Sequence, residues 1–291
     1  MQMRRTMLYL PGNNPNMLTR GYLFGSDGVV LDLEDAVAMV EKDAARVLVS
    51  KYLKQGEFGD CYVSVRINGI DTEYWRDDLA AIVPNKRLNG IRVPKVEDAN
   101  TVKIIDEELS MLEEKNGIPV GTLTLHCLLE TAHGIWNAYE IAKASPRIEA
   151  IIPGGEDLRA DLKTSRSDDS TELEWARRML VFAARAAGVE PLDTVFARIT
   201  DDAGLRKETE FIKQLGFSGK SIIHPNQIKI IHDVFTPSDQ EIAKAQKIIA
   251  AAKDAAERGQ GAVTVDGKMV DIPVVKRAEY VLVRAGLVEA K

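Results

Sequence analysis

Short apolar runs recur along the chain, separated by longer stretches whose apolar positions have helical spacing. The runs are residues 7–10 (MLYL), 28–33 (GVVLDL), 61–67 (CYVSVRI), 90–93 (GIRV), 122–129 (TLTLHCLL), 150–152 (AII), 192–199 (LDTVFARI) and 220–223 (KSII). Many are rich in Val, Ile and Leu with little strict alternation, the pattern of parallel strands covered on both faces. The intervening helices carry end signals. Thr171-Glu172-Leu173-Glu174 reads as a capping box whose helix stops at Gly188, and Ser238-Asp239-Gln240-Glu241 as another, with its helix closing at Gly259. Asp98 caps a helix that ends at Asn116-Gly117, and Gly216 follows one more.

Eight strand–helix units of about 30 residues occupy about 240 residues, near the usual size of a (β/α)8 barrel. The predicted fold is therefore α/β, a TIM barrel over residues 1–258. A doubly wound open sheet is the rival, but no Gly-x-Gly-x-x-Gly follows the first strand. Residues 259–291 follow the eighth predicted helix and form a C-terminal extension.

Composition narrows the class. Of 291 residues 45% are hydrophobic, enough for a substantial core. No apolar stretch approaches the roughly 20 residues needed to cross a bilayer, and the basic N-terminus is too briefly apolar for a signal peptide. The two cysteines, Cys61 and Cys127, form no metal or redox motif. A reduced, cytoplasmic setting without a membrane is expected. The net charge is −6 and the basic residues are dispersed, which argues against nucleic acid as a partner.

Barrel chemistry gathers at the C-terminal ends of the strands. The first run ends in Pro11-Gly12-Asn13-Asn14. The second gives Asp32, Glu34 and Asp35, the third Arg66 and Asn68, the fourth Arg92 and Lys95. The fifth gives Glu130, Thr131, His133 and Gly134, the sixth Glu156 and Asp157 behind Gly154 and Gly155. The seventh gives Arg198 and Asp201, the eighth His224, Pro225 and Asn226. Asp35 and Asp157 each precede a helix and read equally well as N-caps, worth about 1 kcal/mol. Clustering alters that balance. Two carboxylates 4 Å apart repel by about 4 kcal/mol at an effective dielectric of 20, and each costs several kcal/mol to desolvate. A divalent cation offsets both. Oxygen ligands without a His/Cys cluster suit Mg2+, or Mn2+. Spacing favours Glu130 with one of Glu156 or Asp157, and leaves the choice open. Arg66 reads as a clamp on a carboxylate or enolate oxygen, or as a structural partner of Asp32 or Glu34. Lys95 raises a Schiff-base alternative, weakened by the acid-rich surroundings. His133 and His224 are secondary acid/base candidates.

The segments RRTMLYLPGNNPNML, VVLDLEDAV, VRINGIDT, IRVPKVE, LLETAHGIWNAYEIA, GGEDL, GFSGKSIIHPNQI and DGKMVDIP occur in that order and span nearly the whole chain. The sequence thereby resembles the β-subunit of citrate lyase and its relatives in the HpcH/HpaI aldolase superfamily, which includes malyl-CoA and citramalyl-CoA lyases. The resemblance implies a TIM barrel, Mg2+, and cleavage of a 3-hydroxy-3-carboxylic thioester into an acyl thioester and a 2-oxo acid. It assigns Glu130 and Asp157 to the metal and Arg66 to substrate and the developing enolate, with Glu34 and Asp35 in the site. Pro11, Asn13, Glu130 and Lys95 fall in the motifs that would border substrate. Asp271 resembles an acid/base aspartate that some relatives deliver from a neighbouring subunit's tail, which would make the extension a lid and the protein a homotrimer. The acyl carrier would be an acyl carrier protein, alongside other citrate lyase subunits, or coenzyme A. TSRSDDSTELEWAR resembles citrate lyase subunits, whereas IHPNQI resembles freestanding thioester lyases. The alternatives are a citramalyl-CoA or malyl-CoA lyase, a related synthase/thioesterase, a Schiff-base aldolase, and a non-catalytic carrier-binding subunit.

Overall fold

The computed structural model describes residues 4–288. Eight parallel strands close into a barrel: β1 (Thr6–Pro11), β2 (Gly28–Asp32), β3 (Tyr62–Arg66), β4 (Gly90–Val93), β5 (Thr124–Leu129), β6 (Ile148–Pro153), β7 (Glu190–Asp193) and β8 (Gly219–Ile222). Each strand pairs with the next, and β1 pairs with β8 through Thr6–Lys220, Met7–Ser221 and Leu8–Ile222. Between them run α1 (Pro15–Arg20), α2 (Lys42–Gln55), α3 (Trp75–Ile82), α4 (Ala99–Lys115), the short α5 (Ala132–Trp136) and α6 (Ala138–Ala142), α7 (Gly155–Asp161), α8 (Glu174–Ala187) and α9 (Asp202–Leu215). This is the (β/α)8 TIM barrel expected from the spacing of the apolar runs.

The strands bury both faces because both are packed. Leu8, Val29, Leu31, Val63, Val65, Ile91, Leu125, Cys127 and Ile151 are each at most 1% exposed. By alternation they face outward, against the helices. The inward set is Met7, Val30, Tyr62, Leu128, Ala150, Ile152 and Leu192, with Tyr9 packed against it. Polar residues also point inward, among them Asp32, Ser64, Arg66, Arg92, His126 and Ser221. They are too few and too scattered to break the apolar reading of each run, yet they decide what the barrel's axis offers.

Most end signals hold. Ser238 accepts from Glu241 N–H while Glu241 accepts from Ser238 N–H, a complete capping box. Gly117, Gly188, Gly216 and Gly259 all end helices with positive φ. The Thr171 box does not form. Ser170 takes a left-handed backbone and Thr171–Leu173 is a 3-10 turn. The acid of that box, Glu174, pairs instead with Arg178 at 2.6 Å, while Glu172 accepts from Arg159 and Ser167 and ties α7 to this turn. Strand seven is also earlier and shorter than the apolar run implied. Pairing ends at Asp193, and Thr194 receives the Gly155 N–H at 3.0 Å. Arg198 and Asp201 lie beyond it and pair with each other at 3.0 Å.

The division of the chain differs from the one expected. Arg4–His232 forms one compact unit and the second begins at Asp233, not at residue 259. The helix after β8 is α10 (Asn226–Phe235), which runs across the junction. The next helix, α11 (Asp239–Glu257), packs on α12 (Ile272–Arg284) through Ala245, Ala278 and Leu282, with Ile242, Ile248 and Val281 around them. The hairpin β9 (Val263–Val265) and β10 (Lys268–Val270) joins the two helices. So α11 belongs with the tail, because its apolar stripe is matched by that of α12. No helix among the described residues is long and apolar enough to cross a membrane.

Below the mouth, Tyr62 stacks on His126 with ring centroids 5.2 Å apart and planes at 5°. His126 is fully buried, its ring nitrogens make no hydrogen bond, and Nε2 stands 3.7 Å from Glu149. Burial pushes its pKa down to about 4, against the pull of Glu149. A histidine that stays neutral when folded but takes a proton when unfolded loses stability as pH falls below the unfolded value. Between pH 6.5 and 4.5, wild type should lose stability relative to His126→Leu by up to about 1.4 kcal/mol per pH unit in urea unfolding. A difference between the two proteins that stays flat across that window would contradict this.

Candidate active site at the barrel mouth

The mouth is organised around Arg66, the last residue of β3. Asp32 ends β2 and accepts from Arg66 Nε and Nη2, both at 2.6 Å, in a bidentate fork. The loop after β2 then folds back over Asp32, whose oxygens also accept from the N–H groups of Glu34 (3.0 Å) and Ala36 (3.2 Å). Lys42 fastens the same loop from α2, donating Nζ to the carbonyls of Leu33 and Glu34 at 2.8 and 2.7 Å. This places Glu34 2.9 Å and Asp35 3.3 Å from Arg66 Nη1. Both readings of Arg66 therefore meet in one residue: it is paired with Asp32 and Glu34, and it lines the cavity.

Glu130 follows β5 and is 2% exposed. Its Oε2 accepts from the Lys95 N–H at 3.1 Å. Lys95 holds φ of 52°, a left-handed backbone that a side-chain-bearing residue keeps only where its surroundings enforce it. The Lys95 ammonium stands 3.5 Å from Glu34. Burial alone would lower its pKa, but Glu34, Asp35, Asp71 and Glu130 outweigh that and raise it. A lysine held charged in this way is a poor Schiff-base nucleophile.

Asp157 enters from the neighbouring strand. β6 pairs with β5, and Gly154 N–H donates to Leu129 O at 2.9 Å. The chain then turns into α7, whose first turn carries Glu156 and Asp157. The two acids part company there. Glu156 pairs with Arg159 at 2.8 Å and also with Arg166. Asp157 has no ion pair among the described residues and lines the cavity beside Glu130 and Arg66. The glycines line the cavity and also make room for their neighbours. A Cβ on Gly154 would come within 2.3 Å of Glu130 Cγ, and one on Gly155 within 2.9 Å of Thr194 Oγ1. Gly154 is small because Glu130 occupies that space.

The cavity measures about 410 Å3. Its acids are crowded. Burial, with Glu34 and Asp157 nearby, pushes Glu130 up to about 8, and Arg66 only partly offsets them. Burial pushes Glu34 up to about 7 against the opposing charge of Arg66, with Asp35 and Asp32 adding to the rise. Both Glu34 carboxylate oxygens are buried without a hydrogen bond. A divalent cation beside Glu130 would relieve that crowding, so the donor set fits one. Among the described residues no group of three or more His, Cys, Asp or Glu side chains is assembled as a metal cage. A site with two protein carboxylates leaves the other positions to water and substrate oxygens, as Mg2+ prefers.

The remaining expected residues separate. Pro11 ends β1 and lines the cavity. Asn13 is half-buried and donates to Glu41 at 2.5 Å, outside the lining set. Asp271 stands in the other compact unit, where it caps α12 by accepting from Val274 N–H. His133 lies on α5 beside Asn137 at 3.2 Å, and His224 Nδ1 accepts from Asn226 N–H at 3.2 Å. Reading the strand ends missed Tyr9, Thr194 and Ser221 in the lining. Tyr9 sits within an apolar strand and gives no end signal, though its inward register was available from alternation.

Comparison with known proteins places the chain in a family. The model of the HpcH/HpaI aldolase/citrate lyase family matches residues 5–225. The chain belongs to that family. It is an enzyme of the carbon–carbon lyase class. It is 43% identical to citrate lyase subunit beta of Leuconostoc mesenteroides subsp. cremoris over 97% of this chain and 93% of that one. It is 37% identical to a (3S)-malyl-CoA thioesterase of Cereibacter sphaeroides over 98% and 96%. Its fold superposes with a TM-score of 0.79 on CitE of Mycobacterium tuberculosis, solved with magnesium, acetoacetate and coenzyme A. The identity there is 31% and 98% of each chain is covered.

Titration of Mg2+ by calorimetry tests the division of labour between the acids. Asp157→Asn should weaken binding at least about tenfold and Glu156→Gln much less, and Gly154→Ala should cost about 10- to 100-fold by displacing Glu130. A greater loss in Glu156→Gln than in Asp157→Asn would overturn the assignment.

Proposed function

We propose that the protein cleaves a citryl thioester into oxaloacetate and an acetyl thioester, with Mg2+ held by Glu130 and Asp157. The observation that carries this reading is the pair itself: two carboxylates from adjacent strands facing one cavity, one raised to about 8 by burial and by the acids around it, with a fixed arginine beside them. The relative solved with magnesium, acetoacetate and coenzyme A supports the metal and a thioester carrier. The bound cation supplies Lewis-acid polarisation of the oxygens of the 2-oxo acid half.

The chain's own groups do the rest. Breaking the carbon–carbon bond sends its electron pair into the thioester half as an enolate, while a base takes the hydroxyl proton and the carbinol carbon becomes the ketone. Arg66 meets the enolate charge as it grows, and it does so without reorganising because Asp32 already fixes its plane. An acid must then protonate the enolate carbon to give the acetyl group. We assign that proton to Asp271, delivered from the tail of a neighbouring subunit in a homotrimer, with the segment from Asp233 onward as the lid. Glu34 and Asp35 hold water or substrate beside Arg66. Mn2+ is expected to replace Mg2+, and the acyl carrier to be an acyl carrier protein within a cytoplasmic lyase assembly.

A second reading keeps the site and changes the substrate to a malyl or citramalyl thioester of coenzyme A. The Cereibacter sphaeroides relative favours it. Cleavage assays on citryl, citramalyl and malyl thioesters, on coenzyme A and on an acyl carrier protein, separate the two. EDTA should abolish turnover with whichever substrate is accepted. Asp271→Asn should lower kcat by about 10^2- to 10^4-fold with Mg2+ affinity unchanged. Near-normal turnover of that variant at saturating substrate would remove Asp271 from the mechanism.

A further inference from the structure

The floor of the mouth cavity carries a group that these roles leave unused. Arg92 projects inward from β4 and is fully buried. Its Nη1 donates to Tyr9 Oη at 3.1 Å and to Ser221 Oγ at 3.0 Å. Its Nε and Nη2 have no hydrogen-bond partner, and among the described residues no carboxylate pairs with it. The guanidinium lies 5.2 Å from the centroid of the Tyr9 ring, and Arg66 lies 4.9 Å from the same centroid. Tyr9 and Ser221 line the cavity, and Arg92 stands behind them.

A buried guanidinium without a counter-charge is costly to keep, and packing alone would be served better by an apolar side chain. Its position gives it a use. A hydroxyl that accepts from Arg92 must turn its own proton elsewhere. Neither hydroxyl makes another hydrogen bond among the described residues. Each is thus a free donor, polarised by the cation behind it. Two such donors at one cavity floor, backed by an uncompensated positive charge, suit the two oxygens of a carboxylate.

We propose that Tyr9, Ser221 and Arg92 form a carboxylate subsite at the cavity floor, which selects substrates whose 2-oxo acid half carries a second carboxylate. This rests on the lyase reading above and deepens it. Citryl and citramalyl thioesters differ at one arm, carboxymethyl against methyl. A methyl group on this floor would leave both hydroxyls and the charge unpaired, and a site built to hydrogen-bond a group rejects the analogue that lacks it.

Binding of the two cleavage products to the full chain with Mg2+ tests this without turnover. By calorimetry, wild type should bind oxaloacetate more tightly than pyruvate. Tyr9→Phe and Ser221→Ala should each weaken oxaloacetate by about 10- to 100-fold and leave pyruvate within about twofold of wild type. The pyruvate measurement confirms that the variants fold and keep the metal-facing end intact. Equal losses for both ligands, an unchanged oxaloacetate affinity in both variants, or no preference in wild type would each overturn the subsite. A wild type that prefers oxaloacetate yet cleaves no citryl thioester would sink the lyase reading and leave the subsite standing.

Discussion

The fork between Arg66 and Asp32 holds the mouth of this barrel together. Two neighbouring strands end in opposite charges whose planar groups meet at 2.6 Å through both pairs of atoms. A buried bidentate pair of this kind fixes orientation as well as charge. Because Asp32 also accepts the N–H groups of Glu34 and Ala36, the same carboxylate sets the loop that brings two further acids to the arginine. Removing one partner would leave the other charged and buried, a penalty of several kcal/mol. Everything else at the mouth is arranged around this fixed cation. Glu34 and Asp35 face it, Tyr9 packs under it, and Glu130 is partly tempered by it.

Below the fork, the barrel axis is unusually polar. Arg92 rests on hydroxyls, and His126 stays neutral between Tyr62 and the Glu149–Arg4 pair. Such groups lower the stability available from an apolar core. Their retention is coherent if the axis serves recognition from its upper end and closure from its lower one. The surrounding shell does the stabilising, through strand residues such as Val29, Val63 and Ile91, which have no exposed surface.

Much of the fold was legible because its signals are local. The apolar runs other than the seventh, the helix-ending glycines and the Ser238 box each depend on a few consecutive residues, and each appears where the sequence places it. The failures share a cause. The Thr171 box gives way to a 3-10 turn that Arg159 ties to α7 through Glu172, while the box acid, Glu174, pairs with Arg178; strand seven ends at Asp193, where Thr194 takes the Gly155 N–H. The unit boundary moved to Asp233 because the apolar stripe of α11 found its match in α12. In every case a contact between segments overrode a sound local preference.

The sequence by itself determined the barrel, the residues at the strand ends, and the motifs that place the chain among the HpcH/HpaI lyases. These follow from periodicity, chain length and short ordered motifs, all of which are properties of neighbouring residues. Only the tertiary structure decided which acids share a cavity and which are neutralised. Glu156 and Asp157 are adjacent and chemically alike, yet Arg159 and Arg166 take the first while the second faces Glu130's cavity. Gly154 and Gly155 line that cavity and at the same time leave room for Glu130 and Thr194. The reason is physical. The charge state and aim of a side chain are set by whatever stands within a few ångströms, and in a closed barrel those neighbours come both from the next turn of chain and from other strands.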